Sequence, residues 1–150
     1  MPIEIDEVDR KILERLQDDA RMPFKKIAEE LGVSESTIFV RVKKLRKQGV
    51  IKGFTAKVTP ETVGKGLTAF ILIKADPQRY PNTLETLRNI DDVYEVYDVT
   101  GNYYAIAKIR TGSREQLAKI IDSIGLIEGV ASTETAVVLR SIKEETRIKI

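Results

Sequence analysis

Apolar positions recur along this 150-residue chain in two different rhythms. Up to about residue 52 they fall three and four apart: Ile5, Val8, Ile12, Leu13 and Leu16, then Ile27, Ala28 and Leu31, then Ile38, Val42 and Leu45. That is the period of helices with one apolar face. Asp6, Glu7 and Asp9 stand near the start of the first helix, where the aligned peptide dipoles favour acids. Pro23 suits the first turn of a second helix, and Gly32 can end it in a left-handed conformation. Ser34 supplies an N-cap for a third helix, and Gly49 lies near its end. Helix, short Gly-containing turn, helix is the layout of a helix-turn-helix.

Beyond residue 52 the grammar changes to strands and short helices. "GFTAKVT" (53–59) alternates and stops at Pro60, which predicts a short strand. "LTAFILIKA" (67–75) predicts a second, stopped by Asp76-Pro77. "PNTLETLRNI" (81–90) and "SREQLAKIIDSIG" (113–125) read as helices, the latter with Ser113 as N-cap. "DVYEVYDVT" and "YYAIAKIRT" are strand-rich and flank Gly101-Asn102, a two-residue hairpin signal. "VASTETAVVLR" (130–140) is the last strand. The order β-α-β-β-α-β is that of a ferredoxin-like domain. The fold class is therefore α+β: a three-helix helix-turn-helix domain over 1–52, a hinge strand over 53–60, and a ferredoxin-like βαββαβ domain over 61–150.

A sheet with helices on one side leaves its other side wet, and its strands should then alternate. Here "AFILI" (69–73) and "AIA" (105–107) are apolar on both faces. Either one strand is central and unusually apolar, or a second subunit covers the open face; the favoured reading is a homodimer.

Composition narrows the chemistry. The chain has no Cys and no His, which removes disulfides, thiolates and the commonest general base. No metal or cofactor is expected, and no enzymatic activity. No apolar run approaches the ~20 residues a membrane span needs, and "MPIEIDEVDRK" is acidic where a secretory signal is basic. The expected location is the cytoplasm, without a membrane partner. Net charge is only +2, but residues 41–52 carry Arg41, Lys43, Lys44, Arg46, Lys47 and Lys52 with no acid.

Such a block is often only a solvated helix face. Its context points elsewhere. At ~100° per residue, Ile38, Val42 and Leu45 share the core side of the third helix, opposite Ser36, Val40, Lys43 and Lys47. Docked in the major groove of duplex DNA, the capped start (Ser34, Ser36, Thr37) permits close approach, Val40 meets a thymine methyl and Arg41 reaches guanine. Lys43, Lys44 and Lys47 meet phosphates.

"IDEVDRKILERLQDDAR" and "IAEELGVSESTIFVRVKKLRKQGVIKGFTA" resemble the opening helix and the helix-turn-helix of the Lrp/AsnC (leucine-responsive regulatory protein, feast/famine) transcriptional regulators. "VYEVYDVTGNYYAIAKI" and "GVASTETAVVL" resemble the hairpin and last strand of that family's effector domain. The resemblance implies a regulator of transcription that dimerises, with dimers assembling into octamers or similar rings. It also implies an amino-acid effector bound near contacts between dimers. By motif position Ser36, Thr37 and Arg41 carry over as groove contacts, and Thr100, Gly101, Asn102, Tyr103 and Tyr104 as the effector loop. Thr133 and Thr135 match threonines of the last strand. The family's loop often reads Gly-Asp-x-Asp, whereas this chain has Gly101-Asn102-Tyr103-Tyr104, without either acid. Asp122, off the apolar strip of its helix, reads either as a solvated residue or as a contact for a cationic ligand. The alternative function is a small-molecule sensor that acts through protein partners, for which the first 52 residues would be superfluous.

Overall fold

The computed structural model describes residues 3–150 as two compact units, one running to Lys57 and including Lys143–Ile150, the other Val58–Ile142. The first contains α1 (Glu7–Asp18), α2 (Phe24–Leu31) and α3 (Glu35–Lys47). Asp6 caps α1: its side chain accepts from Asp9 N at 2.9 Å, while Asp9 accepts from Asp6 N at 3.2 Å. This is a capping box built from two aspartates, satisfying two orphan backbone donors. Pro23 sits at the N-cap of α2, one residue before the helix. Gly32 closes α2 at φ 66°, the left-handed region that a side chain resists. Ile12, Ile27 and Ile38 are wholly enclosed where the three helices meet, joined by Leu16, Ala28 and Val42. Each of the three isoleucines contributes roughly 1.5–3 kcal/mol by leaving water.

Residues 53–59 depart from expectation: all are exposed and none forms a strand. A strand exists only through the ladder that takes up its N–H and C=O groups, and among the described residues none pairs its backbone with 53–59 in such a ladder. The final residues depart too. Instead of staying with the second unit, Ile148 exchanges two hydrogen bonds with the Gln17 amide, at 2.7 and 2.9 Å. Arg147 pairs with Asp18 at 2.9 Å. In this structure the last eight residues of the expected 61–150 domain group with the first unit.

The second unit holds β1 (Leu67–Ala75), α4 (Tyr80–Arg88), β2 (Val93–Asp98), β3 (Ala105–Thr111), α5 (Arg114–Gly125) and β4 (Val130–Val137). The sheet is antiparallel throughout, in the order β2-β3-β1-β4, which is the ferredoxin-like arrangement. Ser113 caps α5 by accepting from Gln116 N at 3.1 Å. Ala69, Ile71, Ile73, Ala105, Ala107 and Ile109 point to the helices and pack with Leu87, Leu117, Ile120 and Ile124. The alternate residues form the other face, where Phe70 pairs with Ala136, and Leu72 and Tyr97 flank Ile106. Among the described residues of this unit no helix or strand covers that face.

The hairpin is longer than the Gly101-Asn102 signal predicts, since six residues, 99–104, join β2 to β3. Val99 N–H donates to Tyr104 O at 3.0 Å and closes the loop, while Tyr104 N–H donates to Ile73 O of β1 at 2.9 Å. Among the described residues no helix is long and apolar enough to cross a membrane.

Candidate nucleic-acid interface and effector region

The third helix has three distinct sides. Ile38, Val42 and Leu45 are buried. Opposite them Ser36, Val40, Lys43, Lys44 and Lys47 are exposed, Val40 by 62%. Among the described residues none of these three lysines forms an ion pair. At the start of the helix Ser34 Oγ accepts from Thr37 N at 3.1 Å and also bonds Thr37 Oγ1 at 2.7 Å and Ser36 Oγ at 2.9 Å. The three hydroxyls thus form one compact polar cluster, and Ser34 is committed to capping. A helix N-terminus of this kind brings short donors and acceptors close to a partner surface while exposing no bulk.

Arg41 lies on the flank that faces α1. Its Nη1 donates to Asp6 Oδ2 at 2.6 Å and to Asp9 Oδ1 at 3.0 Å. The guanidinium holds the Asp6 carboxyl below the usual carboxylate range, and Asp6 and then Asp9 raise Arg41 in turn. Asp9 is only 3% exposed, so releasing Arg41 toward a guanine would strand a buried carboxylate. In this structure Arg41 Nη1 fastens α3 to the cap of α1, so the expected guanine contact would compete with that ion pair. Sequence reasoning missed Asp6 and Asp9 as its partners. The acids at the start of α1 were visible, but not the packing that brings them to a residue more than thirty positions away.

The residues proposed for an effector are distributed over one end of the sheet. Thr133 pairs across β1 Ile73 from Ala105, and Thr135 pairs with Ile71. Both threonines therefore point to the helix side and are half-buried. Tyr104, whose N–H meets Ile73 O, lies about two strand spacings, ~10 Å, from Thr133. Thr100, Gly101 and Asn102 are exposed in the loop, with Gly101 at φ 109°. Tyr103 turns to the opposite face, where its hydroxyl donates to Glu134 and Lys74 Nζ lies 5.4 Å from its ring centre. Asp122 is exposed on α5, and its carboxylate pairs with none of these residues. The structure brings the loop and Thr133 to a common end of the sheet, and separates Tyr103 from the threonines.

Sequence reading missed a further pair there. The hydroxyl of Tyr80, at the start of α4, shares its one proton between Asp98 Oδ1 at 2.7 Å and Tyr104 O, and its ring stands 5.2 Å from that of Tyr104. Burial, and then the Asp98 carboxylate, push the Tyr80 hydroxyl up in pKa. Asp98 thus puts a carboxylate beside a loop whose own acids are absent. It also lines a cleft of about 400 Å³ between α4 and β2. None of the eight expected effector residues lines that cleft.

Comparison with known proteins covers both units. Residues 5–46 match the AsnC-type helix-turn-helix domain, and residues 68–148 the Lrp/AsnC ligand binding domain. The HTH-type transcriptional regulator FL11 of Pyrococcus abyssi is 43% identical over 150 residues, spanning 100% of this chain and 99% of that protein. The Escherichia coli AsnC structure superposes with a TM-score of 0.90 at 36% identity, over 97% of this chain and 99% of that one. A feast or famine regulatory protein from M. tuberculosis, solved with L-methionine, gives 0.90 at 27% identity, over 97% and 99% of the two chains.

Proposed function

Since the chain belongs to the Lrp/AsnC family of helix-turn-helix transcriptional regulators, we propose that it reads duplex DNA with the outer face of α3. Ser36, Thr37 and Val40 meet base edges; Lys43, Lys44 and Lys47 meet phosphates. Short hydroxyls and a valine methyl can distinguish bases in a major groove, while unpaired lysines add affinity that carries no sequence information. Arg41 positions the helix and does not read. The observation that carries this reading is the acid-free, solvent-facing row of lysines beside the capped start of α3. The sensor alternative gains nothing from the match over residues 5–46.

The protein acts as a dimer in the cytoplasm, and dimers assemble further into octamers or similar rings. Support for the dimer comes from the sheet face bearing Phe70, Leu72, Ile106 and Tyr97, which no described element of the second unit covers. A two-fold dimer presents two copies of α3, so half-sites about 34 Å apart, or a multiple of that, follow.

The effector is an amino acid held at the sheet end that carries Gly101–Tyr104, Thr133 and Thr135, near contacts between dimers. Asp98 supplies a carboxylate there, and Asp122 favours a cationic side chain. A ligand between subunits shifts assembly only through its differential affinity for the two states. Footprinting on genomic fragments with and without each amino acid tests the reading. Protected, regularly spaced half-sites support it, and protection without sequence preference contradicts it.

A further inference from the structure

The flank of α3 opposite Arg41 opens onto a recess of about 600 Å³. Its walls include three aromatic rings, Phe24 from the start of α2, Phe39 from α3 and Phe54 from the segment after it. Phe39 is 57% exposed and Phe54 44%. Two large apolar side chains facing one concave space in water are more than isolated surface residues. The rim carries Lys43, Arg46, Lys47 and Lys52 and no acid. Among the described residues none of the four is in an ion pair, and Arg46 lies over the Phe54 ring at 5.8 Å. The α4–β2 cleft differs here: its Glu85, Glu95 and Asp98 are already bonded to Arg88, Lys108 and Tyr80.

An apolar floor with a wholly cationic rim selects a ligand that has both halves. A phosphodiester backbone would use the cations and leave the phenyl rings wet. A neutral hydrocarbon would do the reverse. The volume is within the ~300–1,000 Å³ typical of small-molecule sites. We propose that this recess binds a small amphipathic organic anion, a carboxylate on an aryl or alkyl body, distinct from the effector of the second unit. Lys43 and Lys47 belong both to its rim and to the face assigned to DNA, so an occupant neutralises two phosphate contacts. The ligand is therefore a competitor of DNA; this competition, unlike the binding, rests on the function proposed above.

The test titrates the full chain with 4-phenylbutyrate and, as the uncharged counterpart, 4-phenyl-1-butanol, followed by NMR and calorimetry. Phe39→Ser and Arg46→Gln alter exposed side chains and keep the fold; Lys44→Gln removes a cation that does not line the recess. Saturable binding of the anion is expected, at least about tenfold weaker in the first two variants and for the alcohol, and unchanged in Lys44→Gln. Absence of saturable binding, equal binding of the alcohol, or indifference to Phe39→Ser overturns the site. In a DNA titration the anion should lower affinity for the native chain and not for Phe39→Ser; binding that leaves DNA affinity unchanged overturns the competition. A chain that binds the anion but no DNA would refute the proposed function alone.

Discussion

Arg41 and Asp9 stand 3.0 Å apart, joining the middle of α3 to the capping box of α1. Asp9 is shut off from solvent and also closes the reciprocal cap with Asp6. One guanidinium thus sets both where the recognition helix sits and how α1 begins.

Replacing Arg41 by Ala should destabilise the first unit by about 1–3 kcal/mol, because a buried acceptor loses its charged donor. DNA affinity should fall by a similar factor on preferred and random duplexes, since orientation is lost and no base contact is removed. Thermal unfolding and duplex titration of the variant check both. A stable variant that loses only sequence preference would restore Arg41 as a reader.

The same cluster gives a pH dependence with a definite sign. Arg41 depresses the Asp6 carboxyl in the folded chain, so its stabilisation is complete above the unfolded carboxylate value of about 3.9 and is lost as pH falls through the lower folded value. Melting curves between about pH 2 and 6 should therefore lose stability mainly at the acid end. Asp6→Asn should flatten that limb and lower the stability of the neutral plateau.

Leu72→Glu should convert a dimer into a monomer that keeps its native circular dichroism. Leu72 lies beside Ile106 on the uncovered sheet face, and a carboxylate there would be desolvated only in the dimer. Sedimentation of the full chain at micromolar concentration decides the matter. An unchanged sedimentation coefficient would place the interface elsewhere.

Calorimetric titration with all twenty amino acids should find a ligand whose affinity falls in Asp98→Asn and Thr133→Ala. With Asp122→Ala, a basic amino acid should lose more than a neutral one. Binding unaffected by all three substitutions would put the pocket outside this end of the sheet.

What could be read from the sequence was what is local. The Ser34 cap, the Gly32 stop and the Ile38-Val42-Leu45 stripe depend on neighbours within a turn or two, and the structure has them as expected. The succession of strands and helices from residue 67 onward followed from alternation and breakers for the same reason. What escaped depends on distant partners. The carboxylates beside Arg41 appear only when α1 is packed against α3, and the Tyr104 N–H finds its acceptor on Ile73 of β1, outside the hairpin. Nothing near Ile148 announces Gln17. Residues 53–59 have strand chemistry but no ladder within one chain.

The central claim, that the outer face of α3 binds and reads DNA, is tested most directly by duplex affinity measured across salt concentration. Native chain, Lys47→Gln and Val40→Ala should each be titrated on a preferred and a random duplex. Lys47→Gln should weaken both duplexes alike and reduce the log–log salt slope by about one unit. Val40→Ala should leave the slope unchanged and narrow the gap between the two duplexes by roughly 1 kcal/mol, the worth of the apolar contact removed. Salt-insensitive binding, or two variants that behave identically on both duplexes, would contradict the assignment.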